Sequence, residues 1–179
     1  MNHDLVYMMA GELSGDQLGG QLIQALRAAS PKPLMFAGVG GGAMQAAGLA
    51  SLFPLRDLSV MGFAEIIPRL PTLLTRIKQT QDDIIARQPR VVVSIDSPGF
   101  TLRVIRKVRK LCPHTKFIHY VAPQVWAWKP ERAKTLGQVV DAVMCLLPFE
   151  PAYFRPHGLR AEFTGHPATD IGSTPISPQ

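Results

Sequence analysis

A Rossmann-like α/β fold with a doubly wound, mainly parallel sheet is what this sequence predicts, on three observations. Short apolar runs alternate with segments whose apolar residues recur at helical spacing, the pattern of strands and covering helices in turn. Glycine-rich and polar residues cluster just after the strand-like runs, where an open parallel sheet gathers its ligand-binding loops. The chain has 179 residues, 46% of them hydrophobic and 18% charged, which fits one globular domain with a sizeable core.

The elements follow in order. Leu5-Val6-Tyr7-Met8-Met9-Ala10 is a buried strand, and from Asp16 the residues Leu18, Leu22, Ala25, Leu26 and Ala29 mark a helix. Leu34-Met35-Phe36-Ala37 is a second strand running into Gly38-Val39-Gly40-Gly41-Gly42 and a short helix from Ala43 to Ala47. A third short strand falls around Leu49 to Leu55, and a helix runs from Pro71 to Arg87. Val91-Val92-Val93-Ser94-Ile95, bounded by Pro89 and by Asp96-Ser97-Pro98-Gly99, is the clearest strand, followed by a basic amphipathic helix to Leu111. Lys116 to Val121, Ala142 to Leu147 and Ala161 to Thr164 are three further strands, with a short helix opened by Pro130 between the first two. Ile171 to Gln179 reads as an unstructured tail or the start of a linker, leaving residues 1–170 as the domain.

Several function classes drop out on composition. Two cysteines, Cys112 and Cys145, with no CxxC pair argue against a disulfide framework or a zinc site, and favour a reducing compartment. No His/Cys/carboxylate set has metal-ligand spacing, so no metal is expected. The first residues carry neither a basic n-region nor a long apolar h-region, and no run of about 18 apolar residues could span a membrane. The net charge of +6 favours anionic partners over cationic ones. Its one cluster, Arg103, Arg106, Lys107, Arg109 and Lys110, reads as the wet face of a helix, not a nucleic-acid footprint.

The chemistry is expected after the strands. In Ala10-Gly11-Glu12-Leu13-Ser14-Gly15-Asp16 the glycines allow a tight turn and close approach of a ligand, while Asp16 reads as a helix cap. Glu12 has no evident structural task. Gly38-Val39-Gly40-Gly41-Gly42-Ala43 fits a G-x-G-x-x-A string, a weak dinucleotide signal here because it follows the second strand and Asp57 lies in a loop-like context. That loop reads as a close-approach loop for substrate, and NAD is not expected. Asp96, at the mouth of a central strand, is the first choice for a general base, with Ser97 available to cap the next helix. In Tyr120-Val121-Ala122-Pro123-Gln124-Val125-Trp126-Ala127-Trp128 the aromatic residues suit either sugar stacking or core packing. His119 reads as a packed, hydrogen-bonded strand residue. Phe63, Ile66, Ile67, Leu70, Leu73, Leu74 and Ile77 form an apolar stripe flanked by Arg69, Arg76 and Lys78, with core packing the default and a membrane-lying segment its rival.

Taken together, these motifs resemble the lipid-A-disaccharide synthase family. The resemblance rests on Ala10–Asp16, Gly38–Gly41, Leu58–Glu65, Asp96–Phe100, Tyr120–Trp128, Leu147–Glu150 and Gly165–Pro167, which occur in family order up to about Asp170. It implies one half of a two-domain GT-B inverting glycosyltransferase of lipid A biosynthesis. That enzyme transfers 2,3-diacylglucosamine from its UDP derivative to 2,3-diacylglucosamine 1-phosphate, with UDP-sugar as substrate and no cofactor. Asp96 then matches the family's candidate base and Glu12 a second functional carboxylate. Gly11, Ser14, Gly15, Gly38, Gly40, Gly41, Tyr120, Gln124 and Trp126 fall in substrate-binding positions. The stripe from Phe63 to Leu74 corresponds to a region meeting acyl chains and the cytoplasmic face of the inner membrane.

The resemblance also implies an acylated sugar-phosphate lipid as partner, no nucleic acid, and allows a homodimer. Leu13 and Gln124 depart from the usual family residues, a small residue and a Ser. The UDP-sugar domain of the family is expected to lie outside these residues, so this chain alone is expected to have little transferase activity. Two alternatives stand beside this reading: a UDP-N-acetylglucosamine epimerase-like protein, and a stand-alone lipid or sugar-phosphate binding module.

Overall fold

A computed structural model describes residues 2–58, 63–127 and 131–166, with residues 2–3 and 63–69 described in backbone only. The expected tail at 171–179 lies outside the described residues, as do Trp128, Pro130 and most of the motif between Leu58 and Glu65. Seven strands form one sheet: β1 (Asn2–Ala10), β2 (Met35–Val39), β3 (Ala50–Ser51), β4 (Pro89–Ile95), β5 (Lys116–Tyr120), β6 (Ala142–Cys145) and β7 (Arg160–Phe163). Their order is β3-β2-β1-β4-β5-β6-β7, and every neighbouring pair is parallel. The predicted fold class is therefore the observed one. The order reverses between β1 and β4, so the loops leaving these strands turn to opposite sides and open a crevice.

Among the described residues six α-helices connect the strands: α1 (Leu13–Ala29), α2 (Gly42–Ala46), α3 (Phe63–Arg87), α4 (Pro98–Val108), α5 (Glu131–Gly137) and α6 (Pro151–Phe154). The side chains of β1 divide between two cores. Met8 and Ala10 pack with Ile23, Met44, Val93 and Ile95 on the α1/α2 side. Tyr7 and Met9 pack with Ile77, Ile84, Val104, Ile105 and Val108 on the α3/α4 side. Burial on both faces explains why β1 and β4 read as unbroken apolar runs. Each valine, isoleucine or methionine side chain so removed from water contributes about 1.5–3 kcal/mol.

Several boundaries differ from expectation. Helix α1 starts at Leu13 rather than Asp16, because Glu12 in extended backbone already serves as its N-cap residue. Strand β3 is only two residues, and Leu55–Asp57 is a 3-10 turn. Helix α3 begins at Phe63 rather than at Pro71, so Pro68 lies within it and Pro71 is an interior residue rather than its opening one. Its apolar stripe also divides: Ile77 is buried and Leu73 packs on the core, whereas Leu70 and Leu74 are exposed. Phe63, Ile66 and Ile67 have side chains outside the described set. The exposed side of α3 carries a groove of about 550 Å³ along Leu74, Thr75, Lys78, Gln79 and Asp82.

Two polar contacts lock the right half of the sheet. In the basic cluster Arg103, Arg106, Lys107 and Lys110 are exposed as expected, but Arg109 is not simply solvated. Its guanidinium donates to both Asp141 oxygens, at 2.8 and 3.2 Å, and lies 5.5 Å from the Phe117 ring centroid. Burial alone would raise the Asp141 carboxyl; Arg109 and the Phe117 N–H, at 2.8 Å, outweigh it and hold it below the usual carboxylate range. His119 is buried and hydrogen-bonded to the Ser94 hydroxyl at 2.8 Å, and burial pushes its imidazole down to about 4.

Candidate active site

The crevice at the β1/β4 reversal holds both expected carboxylates. Ala10 and Ile95 are register partners, so Gly11-Glu12 and Asp96-Ser97 leave the sheet side by side. Glu12 is exposed at the mouth of α1, and its side chain makes no capping hydrogen bond. Asp96 is half-buried, and its carboxylate has no hydrogen-bond partner among the described residues. Its backbone, by contrast, is held at both ends. The Asp96 N–H donates to the Tyr120 carbonyl at 3.0 Å, and the Thr101 hydroxyl donates to the Asp96 carbonyl at 3.0 Å. The arrangement presents a free carboxylate on a fixed backbone, which general-base chemistry requires.

That backbone is strained. Asp96 and Ser97 have φ of 47° and 43°, and Val121, after the neighbouring strand, has φ of 74°. Non-glycine residues in the left-handed region are uncommon, a β-branched one especially so, and such strain gathers at functional sites. Ser97 is the N-cap residue of α4 but does not cap through its side chain; its hydroxyl is buried without a hydrogen-bond partner among the described residues. It faces Gly11 instead. A Cβ on Gly11 would lie 2.6 Å from the Ser97 Cβ and 2.8 Å from its Oγ, so glycine is what lets the two loops touch. Sequence reasoning did not find Ser97 or Val121 as site residues, because neither residue type signals positive φ.

The glycine-rich loop after β2 is organised by Asp16. This residue is 2% exposed and accepts the N–H groups of Gly41 (2.7 Å), Ala43 (2.9 Å) and Met44 (3.0 Å). It is thus a cap, as expected, but for the neighbouring helix α2 rather than for its own helix. The Gly40 N–H donates to the Ser51 hydroxyl at 3.1 Å. These amides are engaged within the chain, so they do not form the open cradle that a dinucleotide pyrophosphate takes. Gly38, with φ of 140°, lies so close to the Met8 carbonyl that no side chain fits.

The remaining expected site residues scatter. Ser14 is exposed on the first turn of α1, and Gly15 is buried with Ala10 and the Ile95 carbonyl 3.4 Å from a Cβ placed on it. Tyr120 is packed in the α1/α2-side core, and burial raises its phenol. Gln124 is exposed. Trp126 is 40% exposed and makes an edge-to-face contact with Phe149 at 5.4 Å, which in turn contacts Tyr153 at 6.5 Å. Core packing is thus the fate of Tyr120 but not of Trp126. No group of His, Cys, Asp and Glu with metal-holding geometry occurs among the described residues. Nor is any described helix long and apolar enough to cross a membrane.

A parallel sheet of this order, with its polar crevice at the reversal, defines a Rossmann-type unit. It matches the apo form of the lipopolysaccharide outer core galactosyltransferase WaaB with a TM-score of 0.54 at 12% identity, covering 91% of this chain and 45% of that one. That likeness is one of fold. The family model described as lipid-A-disaccharide synthetase matches residues 6–174, and the chain belongs to that family. It is 51% identical to the lipid-A-disaccharide synthase of Gluconobacter oxydans over 168 residues, and 50% identical to that of Rhodospirillum centenum over 169. The relative from Granulibacter bethesdensis is 46% identical over 173 residues. These alignments cover 94–97% of this chain but only 40–43% of the relatives. The chain thus spans less than half the length of the relatives it matches.

Proposed function

We propose that this chain is the acceptor-side half of an inverting glycosyltransferase that joins two diacylglucosamine units in lipid A synthesis. In that reaction Asp96 takes the proton of the acceptor 6-hydroxyl, the freed oxygen attacks the anomeric carbon of the UDP-linked diacylglucosamine, and UDP leaves with the bonding electron pair. The observation that carries the reading is the Asp96 carboxylate, free of hydrogen-bond partners among the described residues and held by left-handed backbone at the strand-order reversal. Glu12 on the facing loop supplies a second carboxylate, suited to a substrate hydroxyl. No resident cofactor is needed, since the UDP-sugar is consumed. Exposed Leu70 and Leu74 on α3 fit a protein that works at the cytoplasmic membrane surface and handles acyl chains.

The test is a chimera in which this chain replaces the matching segment of the Gluconobacter oxydans relative. Thin-layer chromatography with both lipid substrates should show disaccharide 1-phosphate formed by the chimera and little by this chain alone. Asp96→Asn should lower the chimera's rate by about 10²-fold or more, the range for loss of a positioned base. Family-like turnover by the isolated chain, or an Asp96→Asn chimera of undiminished rate, overturns the proposal.

A further inference from the structure

One recess on the carboxyl edge of the sheet has no part in the chemistry above. It has a volume of about 270 Å³ and is lined by Pro123, Gln124, Val125, Ala127 and Arg132. Its place relative to Asp96 follows from the sheet: Ile95 pairs with Tyr120, and the Asp96 N–H donates to the Tyr120 carbonyl. The loop that forms the recess therefore starts one strand away, a step of about 4.8 Å. Val121 in left-handed backbone then turns the chain out of the strand.

The backbone of this loop is pinned independently of its side chains, by the Val125 N–H on the Pro123 carbonyl at 2.7 Å and the Ala127 N–H on the Gln124 carbonyl at 3.2 Å. Val125 is buried, while Gln124 and Arg132 are exposed. The Gln124 amide makes no hydrogen bond to the described residues, so it takes no part in holding the loop. Arg132 has another interaction within the chain, but a guanidinium carries five N–H donors and serves more than one partner.

Among the described residues the lining is one cation, one amide and three apolar residues, with no carboxylate; Glu131 is exposed and does not line it. Such a site suits an anion that accepts paired hydrogen bonds, and a guanidinium matches phosphate in this way. We infer that the recess holds the phosphate monoester of an acylated sugar phosphate, with Arg132 as its cation and the Gln124 amide as second donor. This assignment rests on the acceptor-side reading above and names the group by which the acceptor is held.

Calorimetric titration of the chain with a water-soluble, short-chain diacylglucosamine 1-phosphate, and with its dephosphorylated counterpart, tests the assignment. The phosphorylated ligand should bind about tenfold tighter or more, as loss of a charge-assisted hydrogen bond implies. Arg132→Ala should remove that preference, Arg132→Lys should keep part of it, and Gln124→Ala should weaken it. Amide NMR shifts in the unaltered chain provide a second measure, with phosphate-dependent changes expected at Gln124 and Ala127. Equal binding of the two ligands, a preference intact in folded Arg132→Ala, or shifts confined to other loops would overturn the phosphate site alone. Displacement of the phosphorylated ligand by UDP would assign the recess to the donor instead. Binding of neither ligand would overturn the acceptor-side reading together with the recess.

Discussion

Replacing Asp16 by Ala should be among the most destabilising single changes in this chain. The carboxylate accepts three backbone N–H groups, of which those of Gly41 and Met44 are buried and that of Ala43 only partly so. In Asp16→Ala the Ala43 amide can turn to water, whereas the other two are left without acceptors. A buried hydrogen bond to a charged group is worth about 1.5–3 kcal/mol, so the pair amounts to about 3–6 kcal/mol. That is a large part of the 5–15 kcal/mol, roughly, that holds a typical domain folded. Asp16→Asn separates the contributions. Its remaining oxygen can serve Gly41 and Met44, which share Oδ1, while its NH₂ faces the half-exposed Ala43 amide, so the loss should be only about 1–2 kcal/mol. Urea denaturation should show both midpoints lowered in that order, with the slope unchanged. An Asp16→Ala protein within about 1 kcal/mol of the parent would refute the reasoning, since the two orphaned amides would then have found other partners at little expense.

Two other outcomes follow from the same contacts. Gly11→Ala should destabilise by about 1–3 kcal/mol through the clash with Ser97, and Ser97→Gly, which also suits the left-handed backbone, should recover most of that loss; additive effects in a double-mutant cycle would refute direct contact. His119 is neutral in the folded protein down to about pH 4, whereas the unfolded imidazole takes its proton near 6.5. The unfolded state therefore binds more protons, and stability should fall as pH drops from about 6.5 to 4, by on the order of 3 kcal/mol in all. Urea titrations of His119→Gln should lack this component; an identical pH slope in parent and variant would show that His119 is not its source. The Asp141 carboxyl, held below its usual range, should contribute its own loss of stability at still more acid pH.

How far the sequence could be read depended on how local each cause was. Strands β1 and β4 were plain because burial on both faces makes their runs unbroken. Glu12 and Asp96 were found by a topological argument, that ligands meet a parallel sheet at its carboxyl edge, and the reversal between β1 and β4 sets them side by side. The start of α1 was misplaced because Gly15 and Asp16 look like loop residues. The acceptor role of Asp16 depends on amides at positions 41 to 44, which no window along the chain brings together with it. Prolines within α3 disguised its first turns. The backbone of Ser97 and Val121 had no signal at all, since residues of their kind are rarely found with positive φ.

The paired left-handed residues bear on any attempt to move this carboxylate to another scaffold. Along β4, Val92 and Ser94 face the α3/α4 side, where Ser94 meets His119 beneath the helices. Continued strand alternation would send residue 96 the same way. The turn at Asp96 and Ser97 brings it out to the mouth of the sheet instead. A graft of the Asp-Ser-Pro-Gly string onto a regular strand end would carry the right chemistry and aim it into the core. What must be transplanted is the kink, together with the glycine on the facing loop that makes room for it.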